Sequence, residues 1–266
     1  MGTNRFKDDF ILITGAGSGI GREIIRLLYH STQMILAVDF NQELLDKLKQ
    51  DFPSIFTLKA DLSQKEGNQL ILEWVKSNWK RVDFCFANAG KAEYGQALDQ
   101  NWKNADQLFQ LNVHSPIQLG LALKGLYPGS QFRLIIIASA MSFWTIPGYS
   151  LYASTKAALL QWAETVWSEK TGNWLTLVFP IATRTRFFEA AGNHIPHPFL
   201  QQDASEVAKS ILSGVATGKP KIFPSTLFQI MLRLNKILPI ILPLYQSIEY
   251  CKYKKWLNKQ TETRVC

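Results

Sequence analysis

Phe10-Ile11-Leu12-Ile13-Thr14-Gly15-Ala16-Gly17-Ser18-Gly19-Ile20-Gly21 joins a short apolar run to a glycine-rich turn. From Gly19 to His30 apolar residues recur at helical spacing. Phe10 to Thr14 therefore reads as a buried strand and Gly19 to His30 as the helix it feeds. Gly15, Gly19 and Gly21 stand between them. Without a Cβ, such positions permit a tight turn, close approach of backbone to a pyrophosphate, and close packing of helix on sheet. The helix N-terminus adds amide dipoles suited to phosphate. A glycine turn by itself is often only a turn; here the strand and helix on either side give it meaning.

The alternation continues outward. Strands are expected at Met34 to Val38, Ile55 to Lys59, Val82 to Ala87, Arg133 to Ala138, Trp174 to Phe179 and Lys221 to Phe223. Helices are expected at Gln42 to Gln50, around Gly67 to Ser77, from about Asn104 to Leu126 without interruption, at Leu151 to Lys170 and at Asp203 to Thr217. Strands that take turns with helices build βαβ units, so the fold class is α/β, one doubly wound, mainly parallel sheet with its ligand at the carboxyl ends of the strands. At 266 residues there is room for one such domain and a C-terminal appendix.

Composition narrows the function. Cys85, Cys251 and Cys266 form no CxxC pair and no even framework, which suits a reducing compartment, and Cys85 sits in an apolar run as a packing residue. Met1 to Asp9 is polar and reads as no signal peptide; Phe6 stands where a myristoylation site wants Ser or Thr. A cytoplasmic enzyme is expected. Of the net charge of +8, the segment Lys219 to Cys266 carries +7. A charge confined to one end argues against a nucleic-acid surface along the whole protein and for a local anionic partner.

Asp39 closes the second strand eighteen residues after Gly21. A carboxylate there suits the two hydroxyls of an adenosine ribose and repels a 2′-phosphate, so NAD is expected rather than NADP; the bland alternative is a cap on the next helix. Tyr152 and Lys156 are four apart in a helical stretch and share a face. A neighbouring ammonium favours phenolate, drawing the phenol below its free value of about 10, as a general acid/base requires.

These motifs together resemble the short-chain dehydrogenase/reductase family from about Phe6 to Pro224, in family order: the glycine turn, Asp61-Leu62, Asn88-Ala89-Gly90, Asn112, Ser139 thirteen residues before Tyr152, Lys156, and Pro180 with Thr185. The resemblance implies a catalytic domain over 6–224 and an extension over 225–266. It implies cofactor contacts from Thr14, Gly15, Ser18, Gly19, Ile20, Gly21, Asp39, Asp61, Leu62, Asn88, Ala89, Gly90, Tyr152, Lys156, Pro180 and Thr185, with Asp61 and Leu62 at the adenine and Thr185 at the carboxamide. Asp61 as a helix cap is the alternative. Catalysis would fall to Ser139 positioning the substrate oxygen, Tyr152 moving the proton, Lys156 holding the ribose and Asn112 holding a relay water. Two departures stand out: Ala87 where a second Asn is usual, and Ile181 where Gly usually follows Pro180.

The implied reaction interconverts a secondary alcohol and a ketone. NADP use and a non-catalytic dinucleotide sensor are the competing readings. His194 and His197 flank Pro196 in the loop Arg186 to Gln202, which corresponds to a variable lid; prolines deny the helix a metal pair would need. Phe187, Phe188, Ile195 and Phe199 in that loop suggest an apolar substrate. A homo-oligomer is expected.

Ile222 to Ile248 is apolar, but Arg233 and Lys236 interrupt it, and the longest uncharged run, Ile237 to Ile248, is twelve residues. About 20 are needed to span a bilayer. Pro239 and Pro243 should divide the segment into two short pieces. Two readings stay open: apolar cover for the pocket or a subunit interface, or contact with an anionic membrane anchored by Tyr245, Tyr250, Tyr253 and Trp256 and the basic run Lys252 to Lys259.

Overall fold

The computed structural model describes the backbone of residues 3–185, 187, 195, 196 and 200–265. The strands are β1 (Ile11–Thr14), β2 (Ile35–Asp39), β3 (Phe56–Lys59), β4 (Phe84–Ala87), β5 (Arg133–Ile137), β6 (Leu175–Val178), β7 (Thr183–Arg184), β8 (Gln202–Asp203) and β9 (Lys221–Ile222). Seven of them form one parallel sheet in the order β3-β2-β1-β4-β5-β6-β9. The chain winds one way from β1 to β3 and the other way from β4 onward. Loops leaving β1 and β4 therefore diverge, and a crevice opens between them at the strand ends.

The inner strands β1, β2, β4, β5 and β6 are buried on both sides, and period-two alternation sorts their residues between two cores. Ile11, Ile13, Ile135 and Ile137 face a layer containing α1 (Gly19–Leu28), α2 (Gln42–Asp51) and α7 (Ala204–Ala216). Leu12, Cys85, Leu134 and Ile136 face α3 (Glu66–Asn78), α5 (Ser115–Leu126) and α6 (Ser150–Ser168). Cys85 is fully buried there and its thiol is pushed up by burial, a packing residue as expected.

The long helix expected over 104–126 is not continuous. α4 (Trp102–Phe109) passes through a π-turn at Gln110–His114 before α5 begins. Asn101 starts α4, its side chain accepting the N–H groups of Lys103 and Asn104. The π-turn inserts a residue into the ladder, and Asn112 sits inside it.

The tail also departs from expectation. α8 (Thr226–Ile237) is capped by Ser225, but α9 (Ile241–Val265) runs for 25 residues. Pro243 does not break it, because a proline in the first helical turn removes no intrahelical hydrogen bond. No single helix among the described residues is long and apolar enough to cross a membrane; α8 and α9 meet that requirement only together, across a bend of 118°.

Candidate active site

The ends of β1 and β4 are tied together at the crevice. The Thr14 hydroxyl accepts the N–H groups of Asn88 and Ala89, each at 3.1 Å, while Asn88 Nδ2 donates to the carbonyls of Thr14 (3.1 Å) and Gly15 (2.9 Å). The glycine turn leaves no room for side chains. Gly15 and Gly19 have φ of +62° and +53°, and a Cβ on Gly21 would lie 2.4 Å from the Gly15 carbonyl oxygen. A Cβ on Gly19 would lie 2.9 Å from Thr185 Cγ2. Thr185, remote in sequence, thus closes over the turn. Ser18 stands at the N-cap of α1 with no side-chain capping hydrogen bond, and Ile20 lies in the first turn.

Asp39 is buried at the end of β2. Its Oδ2 accepts the Gly17 N–H and its Oδ1 the Asn41 N–H, both at 3.0 Å. Asn41, not Asp39, caps α2, so the capping alternative falls away. Gly17, which the sequence reading does not single out, joins the turn to Asp39; its signal is a fourth glycine in the stretch Gly15 to Gly21. Asp61 accepts the N–H and hydroxyl of Ser63 at 2.9 and 2.7 Å, and α3 begins only at Glu66, so Asp61 is not that helix's cap. Leu62 beside it is buried.

The catalytic candidates converge from four elements. A Cβ on Gly90 would lie 3.1 Å from Asn112 Oδ1 and 3.7 Å from Lys156 Nζ, so the ends of β4, the π-turn and α6 meet there. Asn112 Oδ1 accepts the Lys91 N–H (3.1 Å), and its Nδ2 donates to the Lys91 carbonyl (2.9 Å) and Thr155 Oγ1 (3.1 Å). Lys156 Nζ donates to the Ile137 carbonyl at 2.9 Å and lies 5.7 Å from the Tyr152 ring centroid. Ser139 follows β5, accepts the Met141 N–H, and its hydroxyl lies near enough to Tyr152 to favour the phenolate. The Pro180 carbonyl accepts the Ala140 N–H at 2.8 Å, tying the end of β6 to the same loop. Among the described residues only Asp8 and Lys170 are non-glycines with positive φ. Ile181 therefore occupies ordinary backbone, and the missing glycine costs no strain.

Burial sets the proton chemistry. Tyr152 is pushed up to about 12 by burial, with the Ser139 hydrogen bond pulling it back, and Lys156 is lowered to about 8 by burial. The expectation that Lys156 draws the phenol down is not met in this arrangement, because desolvation is the leading cause of both shifts.

The Tyr152 ring belongs to an apolar cluster with Ala92, Tyr149 and Ile195, against which Tyr94, Met141, Ile146 and Phe187 pack. Of the expected lid, Phe187, Ile195, Pro196 and residues 200–202 are described; His194, His197, Phe188 and Phe199 lie outside the described residues. From the tail, Trp256 and Tyr253 set their rings against Tyr94 at 4.9 and 6.1 Å, Tyr245 lies 5.8 Å from Trp144, and Gln246 donates to Thr145. Of the two open readings, Tyr245, Tyr253 and Trp256 thus turn toward the domain as cover does; Tyr250 alone of the four is exposed. These aromatic partners were not foreseen, since residues near 94, 149 and 250 have no local pattern linking them. A hollow of about 870 Å³ beneath α9 is lined by Ala153, Ser154 and Ala157, not by Tyr152 or Lys156. Met141 and Ile146, which pack against the Tyr152 cluster, also line it, with Gln246, Tyr250 and Tyr253 of α9.

A dinucleotide fits these residues: the turn is a cradle that side chains would fill, a helix N-terminus stands behind it, and a buried carboxylate ends the adjacent strand. Comparison with known proteins agrees. The family model for short chain dehydrogenase matches residues 9–194. The chain belongs to that family. It is 25% identical to human 17-beta-hydroxysteroid dehydrogenase 13 over 91% of this chain and 84% of that one. It is 29% identical to an uncharacterized oxidoreductase, YxnA, of Bacillus subtilis over 72% of this chain. The matches span only 56%, 63% and 60% of the first three curated relatives' own length. The fold is shared with a Sphingobium yanoikuyae short-chain dehydrogenase in complex with NADPH (TM-score 0.73, 24% identity, 82% of this chain and 88% of that one). It is shared also with a Burkholderia phymatum short chain dehydrogenase/reductase in complex with NAD (0.75, 18%, 87% and 94%).

Proposed function

We propose that this protein is an NAD-dependent oxidoreductase that interconverts a secondary alcohol and a ketone on an apolar substrate. The observation that carries the reading is the meeting of Ser139, Tyr152 and Lys156 at one place: the Ser139 hydroxyl acts on the Tyr152 phenol, and Lys156 Nζ lies 5.7 Å from the ring centroid within an apolar cluster. NAD supplies or accepts the hydride when bound, held by the glycine turn, Asp39, Asn88 to Gly90, Pro180 and Thr185. Asp39 supports NAD over NADP: it is buried and engaged with the turn, where a 2′-phosphate would meet its charge. Arg22, the basic residue nearest the turn in sequence, is paired with Asp51 instead.

In reduction Ser139 would hold the substrate oxygen and Tyr152 would give it a proton as hydride reaches the carbon; in oxidation the phenolate, after its proton has passed to solvent, would take the hydroxyl proton as hydride leaves the carbon. Burial keeps Tyr152 protonated, suiting it to donate. Lys156, lowered to about 8, exchanges a proton near neutral pH and orients the ribose. The side-chain amide of Asn112 is engaged with Lys91 and Thr155, so a relay water would draw on its main chain in the π-turn, where the helical ladder is interrupted. The human relative's hydroxysteroid name is in keeping with an apolar substrate.

We take residues 6–224 as the catalytic domain and 225–266 as an extension that gives a cytoplasmic, homo-oligomeric enzyme a peripheral contact with membrane. The test is turnover: purified protein incubated with NAD and a cellular metabolite extract should generate NADH absorbance that Tyr152→Phe abolishes. Tight NADH binding with no turnover on a broad panel of alcohols and ketones would favour the sensor instead.

A further inference from the structure

α8 turns its apolar stripe away from the protein. Leu227, Ile230, Leu234 and Ile237 recur at three- and four-residue intervals and are all exposed, Ile237 at 79%, whereas Phe228 alone of this helix is buried. The stripe continues past the bend on α9 through Leu244, 63% exposed, and Ile248. Further along the same line of α9 the character changes to basic: Ile248 is followed by Cys251 and Lys255, both exposed, with Lys254 exposed beside them. Arg233 and Lys236 are likewise exposed on α8.

We infer that the outward face of α8 and α9 docks on the surface of a bilayer containing anionic lipid, with the apolar stripe in the acyl boundary and the lysines and arginine at the headgroups. This deepens the membrane contact proposed above by naming its face and does not depend on the identity of the substrate. The charge chooses the occupant. A second copy meeting this face across a two-fold axis would bring cations against cations, which is repulsive, while anionic headgroups reverse the sign. The 118° bend and the exposed cations on α8 suit helices lying in an interface, where apolar faces sink about 5–10 Å, rather than a span. The inward face of α9 is already occupied by its aromatic contacts with Tyr94 and Trp144, so docking needs no unfolding.

The full-length protein should sediment with phosphatidylcholine vesicles containing phosphatidylglycerol at low salt, more weakly as salt rises, with a salt-resistant remainder from the apolar stripe. Each basic residue near such a surface is worth about fivefold in partitioning, so the double variant Lys254→Gln, Lys255→Gln should bind about 25-fold more weakly at low salt. Leu244→Asp should remove the salt-resistant remainder while melting temperature and NADH binding stay as in the parent. Should it lower the melting temperature, Ile237→Asp, the more exposed position, gives the same reading. Failure to sediment with anionic vesicles at low salt overturns the inference. So does equal binding to vesicles of phosphatidylcholine alone, and so does a solution dimer that Leu244→Asp dissolves, which would make a second copy the occupant. NADH binding and turnover, measured in parallel, would report separately on the catalytic reading.

Discussion

α7 and α8 are consecutive amphipathic helices of 13 and 12 residues, and they direct their apolar sides oppositely. α7 buries Val207, Ala208, Ile211, Leu212 and Val215 against α1 and the sheet; α8 buries Phe228 and shows its aliphatic stripe to solvent. Apolar periodicity alone therefore says that a helix has a preferred side, not that the rest of the chain supplies the cover. In α1 and α7 the apolar face meets another element of the catalytic fold. Beyond β9 the outer face meets none within the described residues.

The sharpest test of the catalytic side of this contrast is Tyr152→Phe. It keeps the ring in its cluster and removes the proton carrier, so turnover should fall by about 10²–10⁴-fold with NADH affinity little changed, as read by steady-state kinetics and titration. Near-normal turnover would sink the mechanism. The contrast between the two helices is tested directly by truncation. Ile211→Ala should cost about 2–5 kcal/mol of unfolding free energy, whereas Leu234→Ala should change it by less than about 0.5 kcal/mol; comparable losses in denaturant melts would mean that α8 is covered in solution.

Asp39→Ala should narrow a preference for NAD over NADP by about tenfold or more, since two like charges no longer meet. A parent protein that titrates more tightly with NADP would refute the role given to Asp39. The smallest effect concerns Lys156. Its folded value of about 8 lies below its ordinary 10.5, so between those limits the unfolded chain holds a proton that the folded chain has released. Stability therefore gains with rising pH across that window. Thermal melts without cofactor should show the gap by which Lys156→Met exceeds the parent shrinking from pH 8 toward 10; a constant gap would contradict the burial of a titrating ammonium.

The sheet was legible because its strands are nearly pure apolar runs broken by glycine, proline and polar turns, and the site because Gly15 to Gly21 and Tyr152 with Lys156 are local patterns. Less legible were features made by single residues or by long-range contact. A 3.6-residue periodicity smooths over the one extra residue of the π-turn. Pro243 reads as a breaker unless the helix is known to begin at Ile241. The coupling of Gly17 to Asp39, and of Tyr94 to Trp256, joins positions that no window along the chain contains. Burial likewise reversed the proton affinity expected of Tyr152, because the ammonium's proximity could be read from the spacing and the depth of the phenol could not.

The π-turn at Gln110–His114 also acts as a phase shifter. α4 points Ala105 and Leu108 inward and α5 points Leu119 and Leu123 inward, and the extra residue between them is what lets both segments do so. Loss of a single codon there would restore an unbroken α-helix, locally a more regular structure, yet rotate one half against the other by about 100°. Either the inner faces of α4 and α5 would no longer coincide, or Asn112 would leave Lys91 and Thr155. Point substitutions flanking Asn112 leave that count intact, while a one-residue deletion resets it, so this stretch should accept changes of letter far more readily than changes of length.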